Sequence, residues 1–371
     1  MNDYDFLVIG AGIAGASVAA HLAEKARVCV LEMEDRPGYH TTGRSASSYE
    51  PNYGPEAIQI LTRLAGPFFF NPPKDFADGN LYHRRGSMFL EGPGQEAGTK
   101  IYLKTAKGIR ELSPDEIVKL HPAIRRDYAK RAFYDEVTGD LDVDLLHRGY
   151  LRLFKQRGGG LQLNAGVEEL THLEGKWQAV TRAGNFSAPV VINAAGAWGD
   201  VVAAKAGVAP IGITPKRRSI GVIPVNGYAD FMKWPFVCDI GETWYAKPQS
   251  GRLLVSSADQ TPVEPHDAYA DDEAVATGIA NMMEATTIEV TRIEHKWGGL
   301  RTFSKDKVPV AGFDVNAKGF FWLVGQGGYG IQSSPALSRL AAALAMRVAL
   351  PDDIAASEFK LETILPNRFA L

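Results

Sequence analysis

Gly10, Gly12 and Gly15 in the spacing G-x-G-x-x-G, followed by an acid at Glu32, form the first chemically suggestive constellation in the chain, and the chemistry is dinucleotide binding. Gly10 permits a tight turn, and Gly12 lets the backbone approach a pyrophosphate with no Cβ in the way. Gly15 lets a following helix pack close to the preceding strand. Glu32 is placed to accept hydrogen bonds from both hydroxyls of an adenosine ribose, and an acid there disfavours a 2′-phosphate.

Those residues need particular elements to hold them. Phe6 to Ile9 is a continuous apolar run, as a parallel strand buried on both faces requires. The helix predicted after the glycines presents free N–H groups to an anion. Arg27 to Leu31 reads as a second strand that ends at Glu32. Strand, turn, helix, strand and acid agree, which a bare glycine motif does not offer.

The 371 residues exceed the length at which one core keeps growing, so two domains are expected. A net charge of −3 with scattered Lys and Arg gives no basic field, and nucleic-acid binding is not expected. Cys29 and Cys238 have neither metal-ligand spacing nor a disulfide framework, and no metal site is expected. The first strand starts almost at once, with no basic segment leading into an apolar one, and no apolar stretch reaches spanning length. A cytoplasmic protein is expected, with peripheral contact to the inner face of a membrane left open.

Further along, Pro189 to Asn193 reads as a short buried strand ending on small residues, Ala194 to Ala197. The same logic returns at Gly319 to Val324, which runs into the glycine loop Gly325 to Gly330. Ser334-Pro335 there suits the cap and first turn of a helix over 336–348. The predicted class is therefore α/β, with a discontinuous Rossmann-like domain made of 1–80, 141–204 and 301–371. The stretches 81–140 and 205–300, with strand-like segments at 219–224 and 253–256, form an inserted α+β substrate domain with an antiparallel sheet.

An NAD enzyme usually follows its first mononucleotide unit with a second. Here Glu32 leads instead into Arg36-Pro37-Gly38-Tyr39-His40-Thr41-Thr42-Gly43-Arg44-Ser45-Ala46, a small polar loop suited to wrapping a pyrophosphate and reaching a flavin ring. FAD is favoured over NAD.

Six motifs in order now carry a resemblance. They are Gly10 to Gly15, Gly38 to Ala46, Asn193 to Trp198, Pro215 to Ser219, Gly299-Leu300-Arg301, and Gln326 to Gln332. Across essentially its whole length the chain resembles the FAD-dependent D-amino acid oxidase superfamily, and within it the D-arginine dehydrogenase type. The resemblance implies an FAD domain plus a substrate domain on a mixed or antiparallel sheet. It implies cofactor contacts from Gly10, Gly12, Ala14, Gly15, Glu32 and Met33, and from Thr41, Thr42, Gly43, Arg44, Ser45, Ala46, Ser47 and Ser48. Val167, Ala195, Gly196, Gly327, Gly328, Tyr329, Gly330, Ile331 and Gln332 complete that set. Some members link the flavin to a cysteine after the arginine that Arg301 matches; here Ser304, Lys305 and Asp306 follow, so the FAD should be non-covalent.

The implied reaction is oxidation of a D-amino acid to its imino acid, then to the 2-oxo acid and ammonia, by hydride transfer from Cα to flavin N5. Arg301 matches the arginine that binds the substrate carboxylate, with Arg218 second, and a planar guanidinium suits that bidentate task. Tyr53 and Tyr245 match tyrosines that touch the substrate, and Tyr53 lies with Pro51 and Gly54 on a loop read as a lid. Gly328 is expected to offer its carbonyl to the amine. No protein base is required if the amine arrives neutral. His40 is read as making a structural hydrogen bond, and Glu34 and Asp35 as solvated charges.

One position departs from the D-arginine type. Where that type carries a glutamate to pair the guanidinium, this chain has Ser87, within Arg84-Arg85-Gly86-Ser87-Met88. A buried cation left unpaired costs several kcal/mol, so neutral or apolar side chains are favoured over arginine. Glu50, beside Ser48 near the expected lid, is read as solvated; a pocket of Ser87, Ser48 and Glu50 that takes basic side chains is the alternative. A glycine or sarcosine type of amine oxidase, and a flavoprotein without turnover, are the competing functions. The expected partners are a small amino-acid substrate and an electron acceptor left open between a quinone, another carrier and oxygen. The purified protein is expected to be yellow and to release intact FAD into the supernatant on acid denaturation; flavin pelleting with the chain is the contrary result.

Overall fold

In the computed structural model, which describes residues 2–369, the run Phe6–Ile9 is buried along its whole length in a six-stranded sheet. The order is Gly160–Gln162, Val28–Leu31, Phe6–Ile9, Val190–Asn193, Phe320–Val324 and Val310–Phe313. The first five run parallel, and only the last is antiparallel to its neighbour. Side chains alternate along each strand. Phe6 and Val8 pack toward the helices Ile13–Leu22, Val143–Gln156 and Gly330–Met346. Leu7 and Ile9 face a core shared with a four-stranded sheet whose central strands are Gly184–Ala188 and Lys176–Thr181. Both faces are covered, which is why these strands are uniformly apolar.

Two glycines make the first turn possible. Gly10 has φ +100°, and a Cβ there would lie 2.7 Å from the Ala194 carbonyl oxygen of the neighbouring strand's end. A Cβ on Gly15 would come within 1.8 Å of the Gly10 carbonyl oxygen, so helix and turn can approach this closely only without it.

The inserted stretches join in one ten-stranded sheet. Its path runs Gln326–Gly327, His295–Phe303, Thr214–Ile223, Arg252–Ser256, Tyr245–Gln249, Phe236–Asp239, Ser87–Leu90, Ala132–Asp135 and Arg110–Leu112, with Thr261–Pro262 paired on Thr214–Ile223. Every neighbouring pair is antiparallel except Phe236–Asp239 with Ser87–Leu90, so the sheet is mixed. The strand His295–Phe303 passes straight through 300/301, where the sequence suggested a boundary, and pairs Thr302 with Gly327 of the late glycine loop. Cofactor-side and substrate-side segments therefore share one strand.

The last long helix differs from expectation. It spans Gly330–Met346, beginning six residues before 336, and Pro335 lies inside it. Proline has no N–H to give the Ile331 carbonyl; the Ser334 hydroxyl donates to that carbonyl instead, at 2.9 Å. Its N-terminal residue has no side-chain cap, which leaves the first-turn N–H groups directed out of the glycine loop. Among the described residues, no helix is long and apolar enough to cross a membrane.

Candidate active site

One continuous cleft runs between the parallel sheet and the ten-stranded sheet, from Glu32 and Met33 at one end to Glu50 and Tyr245 at the other. At the Glu32 end the carboxylate is fixed by the chain itself. The Ala11 N–H donates to Oε2 at 2.7 Å and the Glu34 N–H to Oε1 at 3.0 Å, so each oxygen keeps an acceptor direction for a ribose hydroxyl. The Thr42 hydroxyl oxygen accepts the Ile13 N–H at 2.9 Å and ties the 38–48 loop to the first helix.

Most residues that the sequence nominated for a cofactor do line this cleft: Gly10, Gly12, Ala14, Glu32, Met33, Thr41, Thr42, Arg44, Ser45, Ala46, Ser47, Ser48, Val167, Ala195, Gly196, Gly327, Gly328, Gly330, Ile331 and Gln332. Gly15, Gly43 and Tyr329 do not. Gly15 lies in the first helix against the Gly10 carbonyl and Val8, and Tyr329 packs against Tyr53 and Phe303. Arg44 lines the cleft, but its guanidinium is bound to the Asp267 carboxylate and donates to the Ala268 carbonyl at 2.7 Å. It serves as a tie to the 267–268 segment, and its pairing holds Asp267 below the usual carboxylate range. His40 makes the structural bond expected of it, and its partner is Glu34 at 2.8 Å; Glu34 is thus paired, against the expectation of a solvated charge.

These groups fit FAD. An acid faces the ribose end, the first helix, with only its Ile13 N–H met by Thr42, opens toward a pyrophosphate, and a second helix N-terminus with a glycine loop opens on the ring end. The Ser47 hydroxyl, buried in the wall between them, has no partner among the described residues.

Beyond the ring end, Arg301 projects from the shared strand. Its Nη2 donates to the Tyr53 hydroxyl at 2.9 Å, while Nε and Nη1 are buried without a partner among the described residues. Gly328 lies flat against it, and a Cβ there would sit 2.4 Å from Arg301 Nε. The missing side chain at 328 thus makes room for the guanidinium. Arg218 also lines the cleft, but it donates to the Ala258 and Asp259 carbonyls, both at 3.0 Å, and lies over the Tyr245 ring. Of the two arginines, Arg301 is the one with buried nitrogens that have no partner among the described residues.

The loop read as a lid is a bonded, buried segment. Asn52 donates to Asp135 at 2.7 Å and to the Lys107 carbonyl at 2.9 Å, and Gln59 donates to the carbonyls of Asn52 and Gly54. Tyr53 packs edge-on to Tyr329 at 5.2 Å between ring centroids. Many side-chain bonds hold this loop shut, so it lacks the weak local attachment a lid requires.

Glu50 is likewise not in solvent. It is 7% exposed, lines the cleft, and its Oε2 accepts the Ser87 hydroxyl at 3.1 Å. Oε1 is buried with no partner among the described residues. Burial, then the neighbouring Asp135 carboxylate, pushes its carboxyl well above the ordinary value. Ser87 itself is fully buried behind Glu50 and does not reach the cleft. Sequence reading also missed Phe89, Phe236, Cys238 and Ala258, which wall this end, and Lys247 and Glu242, which line it. Alternation along Tyr245–Gln249 puts Lys247 on the same face as Tyr245, a signal that was available.

Comparison with known proteins follows the same lines. A family model described as FAD dependent oxidoreductase (DAO) matches residues 5–344. The chain is 23% identical over 381 residues to a glycine oxidase of Geobacillus kaustophilus (strain HTA426), covering 95% of each. It is 27% identical over 220 residues to an L-2-hydroxyglutarate dehydrogenase of Escherichia coli (strain K12), covering 56% of this chain and 51% of that one. Among solved structures, an L-proline dehydrogenase from P. horikoshii superposes with a TM-score of 0.84 at 18% identity, covering 99% and 98% of the two chains. At those identities the structural likeness shows the fold. The superfamily reading stands, whereas the D-arginine type is not singled out within it.

The buried Glu50 has a measurable signature. Its folded pKa lies above the ordinary 4.5, so stability is complete below pH 4.5 and falls as pH rises toward the folded value. Glu50→Gln removes that ionisation and keeps an acceptor for Ser87. Its Tm relative to wild type is expected to climb between pH 4.5 and 8; a difference independent of pH is the contrary result.

Proposed function

This chain belongs to the DAO family of FAD-dependent oxidoreductases, and from that premise we propose that it oxidises the Cα–N bond of a D-amino acid to the imine. The observation that carries the reading is the Arg301 guanidinium, buried at the cleft wall with two N–H-bearing nitrogens unpartnered. A planar donor fork in that state suits a carboxylate, and Tyr53, already bonded to Nη2, adds a hydroxyl beside it. Bound FAD supplies the acceptor for the two electrons released from the substrate carbon. The chain's contribution is to fix the substrate so that its α-carbon faces the ring, which is positioning more than acid–base work.

The groups around Arg301 support a substrate amine that arrives neutral. Burial raises the Tyr53 hydroxyl above its ordinary value, so it stays protonated near neutrality and is no base. Tyr245 and Arg218 form the wall opposite, and the Gly328 carbonyl remains the candidate acceptor for the amine. Relatives named as glycine oxidase and L-proline dehydrogenase support a C–N bond as the target. The D configuration rests on the motif resemblance. A cytoplasmic location, non-covalent FAD, and a quinone, other carrier or oxygen as the final acceptor belong to the same proposal.

The side-chain preference turns on Glu50. Neutral side chains were favoured because Ser87 stands where a glutamate would pair a guanidinium and Glu50 was read as solvated; the burial of Glu50 in the cleft with a free oxygen removes the second premise. A basic side chain paired with Glu50 is the reading the structure supports better.

Stopped-flow reduction of the bound flavin by a D- and L-amino acid panel tests both parts. Arg301→Met is expected to retain FAD and lose about two to four orders of magnitude in kcat/KM, on the order of 3–5 kcal/mol. Arg301→Lys should recover little, and activity within a few-fold of wild type would remove the carboxylate role. Separately, Glu50→Gln is expected to lower kcat/KM for D-arginine and D-lysine by about 10–100-fold, the worth of a charged hydrogen bond, with D-methionine little changed. A wild type that prefers D-methionine, and is indifferent to Glu50→Gln, restores the neutral class.

A further inference from the structure

Lys247 occupies a position whose chemistry the proposed reaction does not use. It lies two residues past Tyr245 on the strand Tyr245–Gln249, faces the cleft, and its side chain is only 4% exposed. Removing an ammonium from water costs several kcal/mol unless every donor is met. Here the Nζ donates to the Ala46 carbonyl and, at 3.0 Å, to the Ser47 carbonyl, and pairs with Asp140 at 3.0 Å. Asp140 stands opposite Ser48 in the small sheet of Ser48–Tyr49, Gly139–Leu141 and Tyr82–Arg84. It also accepts the Arg85 Nε at 2.7 Å, and Arg85 donates to the Met232 and Trp234 carbonyls, both at 3.0 Å.

One ammonium thus joins the cofactor-side loop, the small sheet and the strand that carries Tyr245. Peptides are planar and trans, so holding two successive carbonyls also fixes the directions of the Ser47 and Ser48 N–H groups. Ser45 to Ser48 all line the cleft, and the unpartnered Ser47 hydroxyl belongs to the stretch being held. An apolar side chain would fill a buried strand position without the desolvation cost. What the lysine adds is the orientation of this loop relative to the substrate wall.

We propose that Lys247 is a positioning residue for the cofactor: it holds the Ala46–Ser47 peptides in the geometry that bound FAD requires and registers them against the strand of Tyr245. The inference rests on the assignment of the cleft to FAD and is independent of the substrate class.

The test is FAD release from holoenzyme, followed by the rise in flavin fluorescence on dilution, with the visible flavin bands and the Tm recorded in parallel. Lys247→Met is expected to weaken FAD binding by about ten-fold or more, as loss of a charged hydrogen bond implies, and to shift the visible bands. A lower Tm with FAD affinity within two-fold of wild type and unchanged bands would mean that Lys247 only supports the fold, and would overturn the proposal. Should Lys247→Met fail to fold, Asp140→Asn leaves the ammonium without its anchor. Faster FAD release than wild type then supports the proposal, and release at the wild-type rate overturns it. Neither readout depends on turnover, so a failed Arg301 assignment leaves this one intact.

Discussion

A buried guanidinium for which the chain provides only part of a binding shell is the constraint on which the rest of the site depends. Arg301 cannot remain inside the protein unless its surroundings are built for it. The strand His295–Phe303 must run through both halves of the cleft to deliver it, residue 328 must lack a side chain to admit it, and Tyr53 must be brought within 2.9 Å. That last requirement explains the fixed loop. Asn52, Gln59 and Asp135 hold the segment so that the tyrosine hydroxyl has one place to be. The two nitrogens left over are the unmet demand that a carboxylate would satisfy.

The cofactor end follows the opposite logic. Among the described residues, the cations that line this part of the cleft are committed to the chain itself: Arg44 to Asp267, Lys205 to the Val167 carbonyl, and Lys247 to Ala46, Ser47 and Asp140. Attraction for an anion comes from backbone at two helix N-termini whose N-cap residues, Gly12 and Tyr329, offer no side-chain cap, although the Thr42 hydroxyl takes the Ile13 N–H of the first. Backbone donors need a tight turn behind them, and the absence of a Cβ at Gly10 and Gly15 lets turn, strand end and helix pack closely enough to form it. The cations are used to hold the wall, so the electrostatics of binding and the mechanics of the cleft are assigned to different atoms.

How much of this was legible in the sequence depended on whether a signal was local. The strand–turn–helix–strand from Phe6 to Glu32 and the strand Phe320–Val324 were readable because each is specified by its own periodicity and glycines. The start of the last helix was misread because Ser334-Pro335 looks like a cap, whereas the Ser334 hydroxyl stands in for the missing proline N–H and lets the helix begin at Gly330. Glu50 was misread for a different reason. Its burial is decided by Ser87 and by Gln332, whose side-chain oxygen accepts the Glu50 N–H at 3.0 Å, and no neighbour in sequence reports either contact. Tyr53 and Arg301 were found through motif resemblance, and their hydrogen bond needed the fold.

The seam beside Glu50 also bears on what the pocket can hold. Three carboxyl groups, Glu50, Asp135 and Asp140, lie there with the buried Lys247 and the half-buried Arg85, and both cations pair with Asp140, whose carboxyl they hold below its ordinary value despite burial. Asp135 is satisfied by neutral donors, the Asn52 amide and the Val137 N–H, and burial raises its carboxyl. That leaves Glu50 with a hydroxyl on one oxygen, nothing on the other, and an acid nearby. A cation arriving through the cleft would meet an uncompensated acid, whereas an apolar group would leave its free oxygen without a partner. The part of the cleft beyond the ring end, which holds both Arg301 and Glu50, is therefore asymmetric in charge. A substrate carrying an anion near its α-carbon and a cation at the end of its side chain matches that asymmetry in one orientation only.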